Sequence, residues 1–151
     1  NNCMFTFDNF TIITRLIEGD FFDYNKFIPT HSNISVKVNV KAITEMIERA
    51  AIIINYDDPK LPISLKIRNS EIVVECISKF GNFCECIDVD KYGDDLLIGV
   101  DSRLILNALK CITDEYAIIE FTNEQGPIVI KPQEGEGFIY LVLPMILKNR
   151  D

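Results

Sequence analysis

The chain has one histidine, no tryptophan and no long apolar run among its 151 residues. Its longest apolar runs have about four to six residues, whereas a membrane helix needs roughly 20. No charged and then apolar segment marks a secretion signal at its start. We therefore expect a cytoplasmic protein without a membrane span. Because the first residue is Asn1, we also expect this chain to be a piece of a longer protein.

Residues that could carry catalysis are sparse. The single histidine, His31, lies in the polar segment THSN, and no glycine-rich loop precedes a helix that could receive a phosphate. Two acidic pairs, Asp57-Asp58 and Asp94-Asp95, stand beside turn residues, where solvated loop charges are the simpler interpretation. The sequence predicts no active site, no cofactor and no metal site. A small metal-dependent hydrolase built on the acidic pairs is kept as an alternative.

Cysteine usage and charge narrow the class of protein further. The five cysteines are an odd number without a C-x-x-C pair, which favours reduced thiols over a disulfide framework or a zinc site. The formal net charge is −8, which argues against a generally basic nucleic-acid binder. Local basic stripes remain compatible with this charge.

Hydrophobic periodicity predicts two halves with one order of elements: strand, helix, strand, strand, strand. Two strands joined by a tight turn at Asp8-Asn9 precede them. The predicted strands are 3–7, 10–18, 34–40, 62–68, 71–77, 83–89, 95–100, 116–121, 127–131 and 137–143, and the predicted helices are 41–53 and 102–112.

The two predicted helices carry matching apolar stripes. A shift that moves Ile43 onto Ile105 also superimposes Met46, Ile47 and Ala50 on the remaining apolar positions of the second stripe. This internal repeat predicts an α+β fold with two antiparallel sheets related by a pseudo-twofold axis and both helices on one side. The alternative is an ordinary α+β domain whose halves match by chance.

Four segments resemble the bacterial sliding clamps, the β subunits of DNA polymerase III. They are TRLIEGDFFDYNKFIP (14–29), IERAAII (47–53), LLIGVDSRLILNALKCI (96–112) and YLVLPM (140–145). The resemblance implies the DNA clamp fold. It also implies that residues 1–29 are the C-terminal hairpin of a second clamp domain with its linker, and that residues 30–151 are the third domain. Phe22 and Ile146 depart from the family, which usually has Pro and Arg there.

The resemblance implies a non-catalytic processivity factor of bacterial DNA replication. Such a protein is a homodimeric ring that encircles double-stranded DNA. It tethers the DNA polymerase III alpha subunit, the clamp loader and repair polymerases, which dock through a short apolar motif. The alternative is a stand-alone protein-interaction domain without a DNA role.

Site residues follow from the resemblance at matching positions. The predicted wall of the peptide pocket comprises Pro29, Pro127, Leu141, Val142, Leu143, Pro144 and Met145. The predicted DNA-facing residues are Lys41, Arg49, Arg103 and Lys110, of which Arg103 and Lys110 lie opposite the apolar stripe of the second helix. The resemblance places Ile52 and Ile53 at the ring interface. The run of three consecutive isoleucines supports this, since it exceeds what one helical face can bury.

Overall fold

The computed structural model describes residues 1–55 and 61–147. The strands are β1 (Asn2–Phe7), β2 (Phe10–Arg15), β3 (Ile34–Asn39), β4 (Ile63–Arg68), β5 (Glu71–Ser78), β6 (Gly81–Asp88), β7 (Asp90–Tyr92), β8 (Leu96–Val100), β9 (Tyr116–Phe121), β10 (Ile128–Pro132) and β11 (Tyr140–Val142). The helices are α1 (Val40–Asn55) and α2 (Ser102–Leu109), and a 3₁₀ turn spans Tyr24–Lys26. None of the helices in these ranges is long and apolar enough to cross a membrane.

The first 29 residues form a hairpin followed by an extended connector. Strands β1 and β2 pair around Asp8, whose φ of 47° is the left-handed conformation that a tight hairpin turn requires. The predicted second strand, 10–18, ends earlier, at Arg15. In the connector, the Phe22 and Phe27 rings stack with centroids 4.7 Å apart, and both remain largely exposed. These aromatic side chains therefore contact each other while offering free apolar surface.

Two antiparallel sheets carry the internal repeat. Their strand orders are β11-β10-β9-β3-β7 and β6-β5-β4-β8. Apart from the short strand β7, each sheet combines the last three strands of one half of the chain with the first strand of the other half. This exchange is what a pseudo-twofold axis requires, and it confirms the predicted repeat. In this arrangement β6 and β11 are equivalent edge strands.

Two strands of the five-stranded sheet depart most from the prediction. The short strand β7 was not predicted, and it pairs with β3 through the Val36–Lys91 register. Its sequence, Asp-Lys-Tyr, lacks apolar alternation, so no local pattern predicts a strand there. The segment is a strand because it pairs with β3 at the edge of the sheet. The last strand is also shorter than the predicted 137–143, since only residues 140–142 pair with β10.

Both predicted apolar stripes are buried and face the sheets. On α1, Ile43, Met46, Ile47 and Ala50 are at most 1% exposed, and the equivalent α2 side chains are also buried. The predicted second helix, 102–112, ends as an α-helix at Leu109. Beyond it the chain tightens into a turn, in which the Ile112 N–H donates to the Leu109 carbonyl. Ile112 nevertheless remains in the core.

Asp101 caps the amino end of α2. Its side chain accepts a hydrogen bond of 2.8 Å from the backbone N–H of Arg103. It also forms an ion pair of 2.8 Å with the Arg103 guanidinium. These interactions, the guanidinium hydrogen bond foremost, hold the pKa of Asp101 below its ordinary value. A depressed pKa means that the ionised cap stabilises the fold above the unfolded pKa of about 3.9. That contribution is lost as the pH falls through the folded value.

We expect Asp101→Ala to lower the free energy of unfolding by about 1 kcal/mol near neutral pH, the usual cost of losing a helix cap. Asp101→Asn retains a cap acceptor and should cost less. Because protonation weakens the wild-type cap, the difference between wild type and Asp101→Asn should shrink below about pH 4. Urea unfolding of the three proteins at pH 7 and pH 3 measures this. A difference independent of pH would contradict the role of the ionised carboxylate.

Candidate functional site

An apolar groove opens where the two halves of the fold differ. Strand β6 has eight residues and packs along α1, whereas its equivalent β11 has only three beside α2. A groove of about 500 Å³ results between α2 and β11. Its lining residues are Leu104, Asn107, Ala108, Tyr140, Leu141, Val142 and Leu143. The groove thus coincides with three residues of the predicted peptide pocket.

Side chains alternate between core and solvent along β11 and the residue after it, so these three residues contribute differently to the groove. Val142 is buried in the core, whereas Leu141 and Leu143 are 36% and 69% exposed. On the opposite wall, Leu104 is half exposed although it is apolar. Sequence reasoning missed Leu104 as a groove residue. The available signal was an apolar side chain that lies off the buried stripe of α2.

Tyr140 and Asn107 were also not predicted as groove residues. Tyr140 packs against Phe138 with ring centroids 5.4 Å apart. Its surroundings raise the pKa of its phenol, first through desolvation and then through the neighbouring Cys111 thiol. The phenol is therefore neutral at physiological pH. The groove combines apolar walls with the polar groups of Asn107 and Tyr140.

Of the three predicted prolines, Pro127 lies towards the same end of the sheet as Leu143. Val142 pairs with Ile128, so the next residues in register are Leu143 and Pro127. Pro29 is half-buried just before the segment that joins this sheet. There the Asn33 side-chain amide donates to the Thr122 carbonyl at 2.9 Å. Neither Pro29 nor Pro127 is among the described residues that line the groove.

Pro144 and Met145 continue beyond the groove. The chain leaves β11 after Val142 and crosses to the other sheet, where Met145 forms an antiparallel bridge with Gly99 of β8. Both residues are half-buried along this crossing, and the next residue, Ile146, is 90% exposed. Met145 is thus placed by a backbone contact with a strand of the other sheet.

Each predicted DNA-facing cation has an acidic neighbour. The Lys110 Nζ lies 2.7 Å from Glu48 and joins the two helices, and the Lys41 Nζ lies 3.9 Å from Glu45 on its own helix. Arg49 and Arg103 pair with Glu85 and Asp101. All four cations retain exposed side chains, with relative exposures from 47% to 85%. The helical surface is therefore charged but locally balanced.

A second groove, of about 590 Å³, lies between the start of α1 and the turn after α2. Lys41, Glu45, Lys110, Asp114 and Glu115 are among its lining residues. Apolar residues such as Val40 and Leu109 also line it, but these five charged side chains distinguish it from the first groove, which has no charged lining residue among those described. We therefore take the groove beside β11 as the candidate peptide site.

The isoleucine run at the end of α1 divides by exposure. Ile54 is fully buried, Ile53 is half-buried and Ile52 is 58% exposed. A helix turns about 100° per residue, so three consecutive side chains point in different directions. Ile52 consequently presents apolar surface to solvent, whereas Ile54 belongs to the core.

Only one of the two acidic pairs, Asp94-Asp95, lies within the described residues 1–55 and 61–147. In these ranges no group of three or more histidine, cysteine, aspartate or glutamate residues is placed to hold a metal ion. Asp94 and Asp95 are exposed in a turn, and Asp95 pairs with Lys91. Asp57 and Asp58 lie outside the described residues, so the structure does not bear on them.

Comparisons with known proteins identify similar chains. The family model of the DNA polymerase III beta subunit, C-terminal domain, matches residues 25–146. The beta sliding clamp of Streptococcus pneumoniae is 28% identical over 148 residues, and that of Staphylococcus aureus is 26% identical over 149. Each alignment covers 96% of this chain and 39% of the relative.

Solved structures show the same fold. A DNA polymerase III beta subunit from Eubacterium rectale has a TM-score of 0.89 at 32% identity, over 96% of this chain and 39% of that one. The beta chain from Streptococcus pneumoniae has a TM-score of 0.89 at 27% identity, over 97% and 40%. These matches confirm the predicted fold. The present chain spans about two fifths of the length of these proteins.

Proposed function

The chain belongs to the family of the DNA polymerase III beta subunit, C-terminal domain, and on that premise we propose that it is part of a sliding clamp. In this proposal residues 1–29 end a second clamp domain and residues 30–151 form the third. The assembled ring encircles double-stranded DNA as a homodimer and acts in replication without catalysing a reaction. The supporting observation is a shared fold over 96% of the chain with a TM-score of 0.89.

The groove beside β11 is the proposed docking site for the polymerase alpha subunit, the clamp loader and repair polymerases. Its walls expose Leu104, Leu141 and Leu143, so an extended apolar segment could bury side chains between α2 and the sheet. The edge strand β11 also offers backbone groups to such a segment. An apolar peptide in extended conformation is therefore the partner that fits this surface.

The peptide Ser-Leu-Ser-Leu-Phe-Ser provides a direct probe, because its two leucines are two positions apart and so point to the same side of an extended chain. Leu143→Ser should weaken its binding about tenfold, which corresponds to roughly 1.4 kcal/mol, part of the value of burying one leucine. A chemical-shift titration of the ¹⁵N-labelled chain measures the dissociation constant. It also shows whether the amides of α2 and β11 respond.

Ile77→Ser is the matched control, since Ile77 is also apolar and 52% exposed but lies on β5 of the other sheet. It should leave peptide affinity unchanged. Equal losses for the two variants, or shifts confined to residues away from α2 and β11, would refute the docking site. Because the relatives are longer than this chain, we expect a subunit of their full length to bind more tightly, through a second wall from the preceding domain.

A further inference from the structure

The segment after β11 is held by strand β8 of the other sheet. The Met145 N–H donates a hydrogen bond of 2.8 Å to the Gly99 carbonyl. Val142, three residues earlier, is still paired with Ile128 of β10. Only Leu143 and Pro144 therefore span the distance between the two sheets.

Gly99 makes this crossing sterically feasible. A Cβ atom at this position would overlap the Met145 carbonyl oxygen and would lie 2.9 Å from the Leu147 Cδ2 atom. The φ angle of Gly99 is outside the left-handed region, so β8 itself does not require glycine. The requirement for glycine comes from the segment packed against it. A glycine inside a strand commonly marks such a close backbone approach.

We infer that Gly99 is a positioning residue for the groove: it admits the C-terminal segment against β8 and so fixes Leu143 in the groove wall. Two anchors, one at Val142 and one at Met145, enclose a two-residue span. The fixed φ of Pro144 restricts that span further. Releasing Met145 would free Leu143, which is 69% exposed and has little packing of its own. The consequence for peptide binding rests on the proposed function of the groove.

Gly99→Ala tests the positioning role. Hydrogen exchange at the Met145 amide should accelerate at least about tenfold, because local detachment exposes this N–H without global unfolding. Affinity for the peptide Ser-Leu-Ser-Leu-Phe-Ser should fall at least about fivefold, since a preorganised wall becomes mobile. Gly137→Ala is the matched control, because a Cβ there meets nothing within 4 Å and φ is not left-handed. It should change neither measurement.

A second pair of variants removes the hydrogen bond without touching Gly99. Met145→Pro lacks the N–H, whereas Met145→Ala retains it and loses the same side chain. Met145→Pro should bind the peptide several-fold more weakly than Met145→Ala. Combining Gly99→Ala with Met145→Pro should cause no further loss, because both changes release one contact. If alanine in β8 weakened peptide binding by a separate route, its loss of affinity would instead add to the loss caused by Met145→Pro.

Several results would overturn the inference. They are an unchanged Met145 exchange rate in Gly99→Ala, equal affinities of Met145→Pro and Met145→Ala, or additive effects in the double variant. Should Gly99→Ala fail to fold, the comparison of the two Met145 variants decides. If the wild-type chain does not bind the peptide, the proposed docking function fails. In that case the hydrogen-exchange rate of the Met145 amide and the chemical shift of the Leu143 amide in Gly99→Ala still test the positioning role, because neither measurement requires the peptide.

Discussion

Ile52→Asp is expected to leave this chain folded and to abolish pairing of clamp subunits, whereas Ile54→Asp is expected to unfold it. The two residues are close neighbours in α1, but Ile52 is 58% exposed and Ile54 is fully buried. An unpaired carboxylate in the core costs several kcal/mol, a large part of the 5–15 kcal/mol that stabilises a typical domain. At Ile52 the same charge stays in water until a partner covers it.

Circular dichroism melts of the chain measure the effect of each variant on folding. Sedimentation velocity of a subunit with the relatives' full length measures the effect on subunit pairing. Ile53→Asp should combine both effects, since Ile53 is half-buried. A subunit that remains a tight dimer with aspartate at position 52 or 53 would remove these residues from the proposed interface. Equal destabilisation by Ile52→Asp and Ile54→Asp would contradict the observed difference in burial.

The second large effect concerns DNA. The chain alone should bind linear duplex DNA negligibly at physiological salt, because the proposed ring would retain DNA by enclosing it and because acids balance the helical cations. Replacing Glu45 and Glu48 by Gln would release Lys41 and Lys110 for phosphate contact. Each released lysine that neutralises a phosphate should steepen the logarithmic salt dependence of binding by about 0.9. The free energy of unfolding of this double variant should change little, since an exposed ion pair contributes only roughly 0–1 kcal/mol to it.

Glu75→Gln supplies the control for this experiment. It releases Lys66, whose ion pair of 2.6 Å lies on the face of the sheet away from α1. Fluorescence anisotropy with a labelled duplex over a range of salt concentrations compares the variants. Micromolar binding by the wild-type chain would contradict retention by enclosure. The control removes one negative charge, whereas the helical double variant removes two. An equal gain per removed charge would show only a general effect of net charge, and the helical surface would lose its proposed role.

Much of the fold was accessible from the sequence because local periodicity reports which side of an element is buried. The stripe that includes Ile43 and Met46 repeats every three or four residues, and β3 alternates buried and half-buried side chains as its sequence does. The matching stripe that starts at Ile105 revealed the repeat. Strand β7 escaped notice since its residues are polar, and only pairing with β3 makes it a strand.

The sequence by itself determined the fold class, the buried stripes of both helices and the resemblance to sliding clamps, because each depends on residues close together in the chain. Tertiary structure alone decided the shape of the groove, whose walls come from α2 and β11 and lie more than 30 residues apart in sequence. It also decided that Lys110 pairs with Glu48 and that Met145 bridges to Gly99. Such contacts join distant segments, and their distances depend on how sheets and helices pack, which no local pattern encodes.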